Sequence, residues 1–343
     1  MSRPNDPSSP AAVLRSLPRA WDDLPIWAQL NITWKCNLDC SYCTEYDNSK
    51  GHVPYDVLLH RIDKCKELGT LHTDLIGGEP LLHPQVKELM GYVVKQGMTT
   101  GMTTNAFLLT EDRLKELMDV GMGRIQISLD ALNPTPGAPK SLKTLRKKIE
   151  MVARHPIWFR VNTVICDQTI DEVQEVAEFC MGLNVPVNFS VVHDRGRLTR
   201  SLNNKAYLDK VRWLKEQKLA GRPISSFYYL IDYYEQALQG KPMDWTCQAG
   251  SKCYYVSPEG DFHFCYHVPP QMKFDEVTRD TLAGNRGKKG CETNCGVDCV
   301  LNTSLPFSNR AHVAGVEARD MLVQLRTQLG AKLGFKRAAA TGS

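Results

Sequence analysis

Residues 31–43 read Asn31-Ile-Thr-Trp-Lys-Cys36-Asn-Leu-Asp-Cys40-Ser-Tyr-Cys43. Three cysteines share this short run, with three residues between the first pair and two between the second. Thiols this close do not suit a helix or a strand, so the run reads as a loop wrapped on a metal. The number of thiols is informative. A [4Fe–4S] cluster usually takes four thiolates. Three leave one iron open to a small molecule, as an open coordination position does in other metal catalysis. The competing reading is zinc, which normally takes four closed ligands, or three unrelated core cysteines.

Outward from this loop the chain alternates strand and helix. Residues 28–33 alternate as a strand that leads into the loop. Pro54 opens a helix in which Leu58, Ile62, Cys65 and Leu68 recur at helical spacing until Gly69. Cys65 therefore reads as a core thiol. The unit then repeats. Strands are expected at 73–76, 99–104, 124–128, 159–165 and 185–192. Helices are expected from Pro84 to 96, from the Thr110 cap to 120, and at 141–153 and 169–181. Cys180 falls on the apolar side of the last helix. Six strands alternating with helices predict an α/β fold, a parallel sheet closed into a partial (β/α)6 TIM-like barrel. A full barrel needs two more units. Active residues belong at the carboxyl ends of such strands.

Composition bounds the rest. The chain has 343 residues, enough for one large domain and a small one, and its net charge of +4 demands neither nucleic acid nor an anionic membrane. No apolar run approaches membrane-spanning length, and the first residues lack the apolar centre of a signal peptide. The expected location is the cytoplasm. Twelve cysteines in such a chain point to metal rather than disulfides. The expected organisation is a flexible arm at 1–24, the barrel at 25–200, and a helical linker at 201–246. A Cys-rich α+β module at 247–305 and a final helix and tail at 306–343 complete it.

Polar motifs sit where strands end. Gly77-Gly-Glu-Pro80 follows the second strand, Thr103-Thr-Asn105 ends the third, Ser128-Leu-Asp130 the fourth, and Asn162 lies in the fifth. Together with the Cys36, Cys40, Cys43 spacing, this pattern resembles that of radical S-adenosylmethionine (radical SAM) enzymes. The resemblance implies that Cys36, Cys40 and Cys43 hold a [4Fe–4S] cluster whose open iron chelates SAM. Reductive cleavage of SAM then gives a 5′-deoxyadenosyl radical that removes a hydrogen atom from the substrate. It also implies that Tyr42, Gly77, Gly78, Glu79, Thr104, Asn105, Ser128, Asp130 and Asn162 lie at the SAM site. For each strand-end residue the plainer reading is a helix cap or a turn.

A second group comprises Cys247, Cys253, Cys265, Cys291, Cys295 and Cys299. Pro258-Glu-Gly-Asp261 lies between two β-rich runs and predicts a hairpin. The group resembles the SPASM or twitch auxiliary-cluster module of the same superfamily. That implies at least one auxiliary [4Fe–4S] cluster, with Cys247, Cys253 and Cys265 as its first ligands and Cys299 as its fourth. A complete module needs about seven cysteines and only six are present, which leaves Cys291 and Cys295 as spare thiols, alternative ligands or half of a second cluster. A structural zinc ribbon is the competing reading. His263, Cys265 and His267 are expected on one strand face.

The expected function is hydrogen abstraction from a small metabolite or biosynthetic intermediate. A flavodoxin- or ferredoxin-type donor would reduce the enzyme, and neither nucleic acid nor a membrane span is expected. Peptide side-chain modification is the second enzymatic reading. A non-catalytic iron–sulfur carrier or scaffold is the reading from another class.

Overall fold

The computed structural model describes residues 22, 24–199 and 201–308. All but three residues of the helix and tail expected at 306–343, and all but two residues of the expected arm, lie outside them. The strands β1 (Trp27–Asn31), β2 (His72–Ile76), β3 (Thr99–Thr104), β4 (Arg124–Ser128), β5 (Trp158–Ile165) and β6 (Val187–Val191) alternate with five helices. These are α1 (Tyr55–Glu67), α2 (Val86–Lys95), α3 (Glu111–Asp119), α4 (Leu142–Ala153) and α5 (Val173–Gly182). Consecutive strands pair in parallel from β1 to β6. This is the partial (β/α)6 barrel of the sequence reading, so every strand presents its carboxyl end at one rim.

Local chemistry sets these elements. In α1, Leu58, Ile62 and Cys65 recur on one face and are fully buried. Each buried aliphatic side chain of this size contributes about 1.5–3 kcal/mol. Gly69, at φ +81°, ends the turn in a conformation that L side chains rarely adopt. Thr110 Oγ1 accepts from Arg113 N and caps α3. Cys180 is fully buried in α5.

The strands β4 and β5 alternate strictly. Ile125, Ile127, Phe159 and Val161 are buried beneath the helices, while Arg124, Gln126, Ser128, Arg160 and Asn162 are partly exposed on the inner face. Low on that face Asp74, reached across Gly101, accepts from Trp27 Nε1 (2.9 Å) and pairs with His72 Nε2 (2.8 Å) and Arg124. Arg124 above all, with His72 and Trp27, holds the Asp74 carboxyl well below its ordinary range against the cost of burial. A Cβ at Gly101 would stand 3.1 Å from Asp74 Oδ1, so the glycine clears the path.

The carboxyl-terminal part does not form a detached module. After α6 (Lys205–Leu219) and α7 (Tyr228–Leu238), β7 (Cys253–Val256) pairs in parallel with β1, Trp27 opposite Cys253. The strands β8 (Asp261–His263) and β9 (Met272–Lys273) continue antiparallel, giving one sheet ordered β6-β5-β4-β3-β2-β1-β7-β8-β9. The expected hairpin is present, and it extends the barrel sheet on its β1 edge. Arg61 of α1 donates to Ser257 O and Pro258 O (both 3.1 Å), and Trp34 Nε1 donates to Glu259 Oε1 (2.9 Å). A short α8 (Arg279–Gly284) and α9 (Asp298–Ser308) follow. The sequence reading did not anticipate α9, which occupies part of the stretch read as hairpins.

Candidate active site at the carboxyl rim of the barrel

The cysteine loop leaves β1 at the rim and is held from below by the loops after β2 and β3. Gly78 N donates to Thr33 O (3.0 Å) and Glu79 N to Lys35 O (2.8 Å). A Cβ on Gly77 would stand 2.6 Å from Thr33 O, and one on Gly78 2.5 Å from Lys35 O. The two glycines are required because the backbone of the cysteine loop lies directly against them. Glu79 is fully buried. Its carboxylate accepts from Leu81 N (3.0 Å), Thr104 Oγ1 (2.7 Å) and Asn105 N (2.8 Å). Asn105 Nδ2 in turn donates to Asn37 Oδ1 (2.8 Å) and reaches Cys36 Sγ at 3.9 Å, while Leu38 N reaches the same sulfur at 3.4 Å.

The opposite side of the loop is tied to β4. Tyr42 donates its hydroxyl to Asp130 Oδ2. Asp130 also accepts from Lys140 Nζ (3.0 Å) and Val164 N (2.9 Å). Lys140 Nζ lies 5.0 Å from the centre of the Tyr42 ring. Ser41 N donates to Gly137 O (3.0 Å).

The strand-end residues therefore divide into two sets. Glu79, Thr104, Asn105 and Asp130 have their side-chain acceptors engaged within the scaffold that grips the cysteine loop. Ser128 and Asn162, register partners across β4 and β5, keep open polar atoms. No hydrogen bond of the Ser128 side chain occurs among the described residues. Asn162 uses only its oxygen, which accepts from Asn188 Nδ2 (2.6 Å) and Ser190 Oγ (3.3 Å).

The donor set suits an iron–sulfur cluster. All twelve cysteines are free thiols. Burial raises the Cys36 thiol, and burial with the nearby Glu45 carboxylate raises Cys43 to about 11. Metal must displace protons to bind here. Two N–H groups already point at Cys36 Sγ, as they would at a thiolate ligand. Among the described residues no three His, Cys, Asp or Glu side chains converge as around a single ion. The cysteines of a cubane bind separate irons and need not converge in that way.

Residues 30–180 match the family model described as the radical SAM superfamily. The barrel part of the chain is thus similar to that superfamily. Among curated relatives, a tungsten-containing aldehyde ferredoxin oxidoreductase cofactor-modifying protein of Pyrococcus furiosus is 29% identical over 171 residues, 46% of this chain and 48% of that one. The match thus spans about half the length of that relative. An AdoMet-dependent heme synthase of Methanosarcina barkeri is 25% identical, covering 69% of this chain and 76% of its own. A PqqA peptide cyclase of Bradyrhizobium diazoefficiens is 28% identical, covering 71% and 67%. Among solved structures, SuiB of Streptococcus suis bound to its precursor peptide SuiA superposes with a TM-score of 0.60 at 17% identity, over 84% of this chain and 73% of that one. The protein anSMEcpe with bound AdoMet gives 0.58 at 17% identity, over 87% and 99%. At such identities these likenesses speak for the fold.

The second cysteine group lies between β7, the loop after β8, and the amino end of α9. Arg197 Nη1 donates to Cys291 O (3.0 Å) and Thr293 O (2.6 Å), Tyr233 OH donates to Cys295 O (2.9 Å), and Thr303 Oγ1 donates to Cys253 Sγ (2.9 Å). Burial raises the thiols of Cys247, to about 12, and of Cys253, Cys265, Cys291, Cys295 and Cys299. Their mutual electrostatic influence marks them as neighbours. The expected shared face of His263, Cys265 and His267 does not form, because β8 stops at His263. The His263 ring is hydrogen-bonded to Val268 O (2.8 Å), and His267 packs edge-on against His193.

Lys140 and Glu45 escaped the sequence reading. Lys140 sits beside the cysteine loop with nothing but a Pro-Lys-Ser context to mark it. Burial raises the Glu45 carboxyl to about 7 while Lys140 pulls it back, and it influences Cys43, Cys299, Tyr255 and Tyr266. Glu45 is thus within electrostatic reach of both cysteine groups. Cys166 is buried beside Thr169, and His83 is a buried scaffold residue bonded to Val53 O (3.0 Å).

Proposed function

We propose that the chain cleaves SAM reductively and abstracts a hydrogen atom from a small metabolite or biosynthetic intermediate. In this reading Cys36, Cys40 and Cys43 hold the cluster, with SAM across the rim at the backbone of Gly77–Gly78, Ser128 and Asn162. When bound and reduced, the cluster and SAM together supply a 5′-deoxyadenosyl radical. The residues of the chain do the rest. Glu79, Thr104 and Asn105 hold the loop in place, and Asp130 fixes Tyr42. Lys140 supplies a positive charge beside the thiolates. Cys247, Cys253, Cys265 and Cys299, with Cys291 or Cys295 as alternatives, would hold at least one auxiliary cluster. The barrel at 25–200 and the module at 247–305 then work as one body, joined through β1 and β7.

The observation that carries this is a three-thiol loop gripped from two sides at the carboxyl rim, beside a partly open polar inner face. A flavodoxin- or ferredoxin-type donor in the cytoplasm fits a chain with twelve free cysteines. No helix among the described residues is long and apolar enough to cross a membrane. The peptide-modifying alternative is favoured by the matches to a PqqA peptide cyclase and to peptide-bound SuiB. The test is anaerobic reconstitution followed by a screen of deuterated metabolites and peptides for label transfer into 5′-deoxyadenosine. Transfer from a metabolite supports the reading, and transfer from peptides alone replaces it with the alternative.

A further inference from the structure

The inner face of the barrel is not uniformly closed. Beyond its first residue β2 is buried throughout, whereas β4 and β5 leave every second residue partly exposed. Water therefore reaches the inside of the barrel beneath Ser128 and Asn162. Arg160 stands there. Its Nε donates to Gln126 Oε1 (2.6 Å), and its remaining guanidinium N–H groups meet no acceptor among the described residues. Burial, then repulsion from Arg124, lowers its pKa to about 10, so it stays cationic at neutral pH. Arg124 differs, since Asp74 already takes its charge.

Asp298, the first residue of α9, lies within electrostatic reach of Arg160. Its Oδ2 is reached by Asn188 Nδ2 at 3.4 Å, and its Oδ1 is buried without a hydrogen-bond partner. Buried polar atoms in folded proteins nearly always have partners. The free edges of the Arg160 guanidinium can give a planar anion two parallel hydrogen bonds.

We propose that the inner face of β4–β6, closed by the amino end of α9, is the substrate seat and that Arg160 takes a carboxylate of the substrate. This deepens the radical SAM reading and rests on it. A carboxylate suits the site better than a phosphate dianion. Asp74 and Asp298 formally balance Arg124 and Arg160, so every added negative charge meets opposition and a monoanion meets less than a dianion. Arg160 lies two residues below Asn162 on the same face, about 6–7 Å deeper along the strand. A nucleotide at the rim and a substrate beneath it thus occupy different levels.

The test uses anaerobically reconstituted full-length holoenzyme with SAM present. The probes are the common amino acids in N-acetylated form, each as free acid and as primary amide, followed by ligand-observed NMR. Acids bind and their amides do not. Arg160→Gln weakens the acids about tenfold or more, the size of a lost charge-assisted hydrogen bond, and Arg160→Lys restores part of the affinity. The shift that SAM causes in the EPR signal of the reduced cluster persists in both variants. Equal binding of acids and amides by the wild type overturns the seat without any variant having to fold, as does the failure of every acid. Undiminished affinity in Arg160→Gln overturns it too. Loss of the SAM-induced shift in Arg160→Gln assigns the residue to the nucleotide instead, which also overturns it. A wild type with no SAM-induced shift sinks the parent reading, and the seat with it.

Discussion

Substituting Glu79 by glutamine probes the scaffold beneath the cysteine loop. The carboxylate is fully buried and accepts three hydrogen bonds, from Leu81 N, Thr104 Oγ1 and Asn105 N. Glutamine keeps the shape but replaces one oxygen with a donor. Whichever way the amide turns, an NH2 faces an N–H that has no other acceptor. One bond is lost and buried donors are left opposed, at about 1–3 kcal/mol, and the surviving bonds lose their charge assistance. Against this, burial raises the Glu79 carboxyl, so a neutral side chain relieves some desolvation. The donors outnumber that relief, two of them being backbone groups, and a net loss of about 2–3 kcal/mol is expected. At about 2–4 °C per kcal/mol for a large domain, the apoprotein should melt about 4–12 °C lower by circular dichroism. Iron retained after reconstitution should fall with it. Glu79→Ala, which leaves all three donors unpaired, should cost more. A glutamine variant that melts with the wild type and keeps its iron would falsify the role given to this carboxylate.

Other outcomes follow from the same structure. Adding a Cβ at Gly78 drives it into the Lys35 backbone at 2.5 Å, so Gly78→Ala should cost about 1–3 kcal/mol and lower the iron content; full retention contradicts the close approach. Asp74 has a depressed carboxyl, so its contribution is complete above its ordinary value of 3.8 and fades as pH falls below it. Asp74→Asn should cost about 3–5 kcal/mol at pH 7 in denaturant titrations, with a gap to wild type that narrows below about pH 4; a gap independent of pH rules out the linkage. Replacing Cys247 or Cys265 by alanine should remove iron from the second group while the first keeps its SAM-induced EPR shift. Unchanged iron in both variants would argue against an auxiliary cluster.

Much of the fold was legible because its signals are local. Each βα unit carries its own periodicity, and Pro54, Gly69 and Thr110 mark helix ends within a residue or two. The pairing of β1 with β7 was not legible. Trp27 and Cys253 are far apart in the chain, and no local pattern records a parallel partner at such distance. The start of α9 was hidden among cysteines that read as loop.

The site shows the same division. The spacing of Cys36, Cys40 and Cys43 is a sequence property and marks the loop directly. Whether a strand-end side chain faces a ligand or the scaffold depends on what lies across from it. Thr104 and Asn105 look like Ser128 and Asn162 in sequence, yet only the latter pair keeps polar atoms open. Lys140, Arg160 and Asp298 acquire meaning from burial and from the groups opposite them, which composition does not encode.

The most direct measurement is anaerobic reduction of the reconstituted protein with SAM, with 5′-deoxyadenosine and methionine quantified by mass spectrometry. The wild type should release both, and the Cys36→Ala, Cys40→Ala and Cys43→Ala variants neither. Product from any one of those variants, or none from an iron-replete wild type, would contradict the assignment.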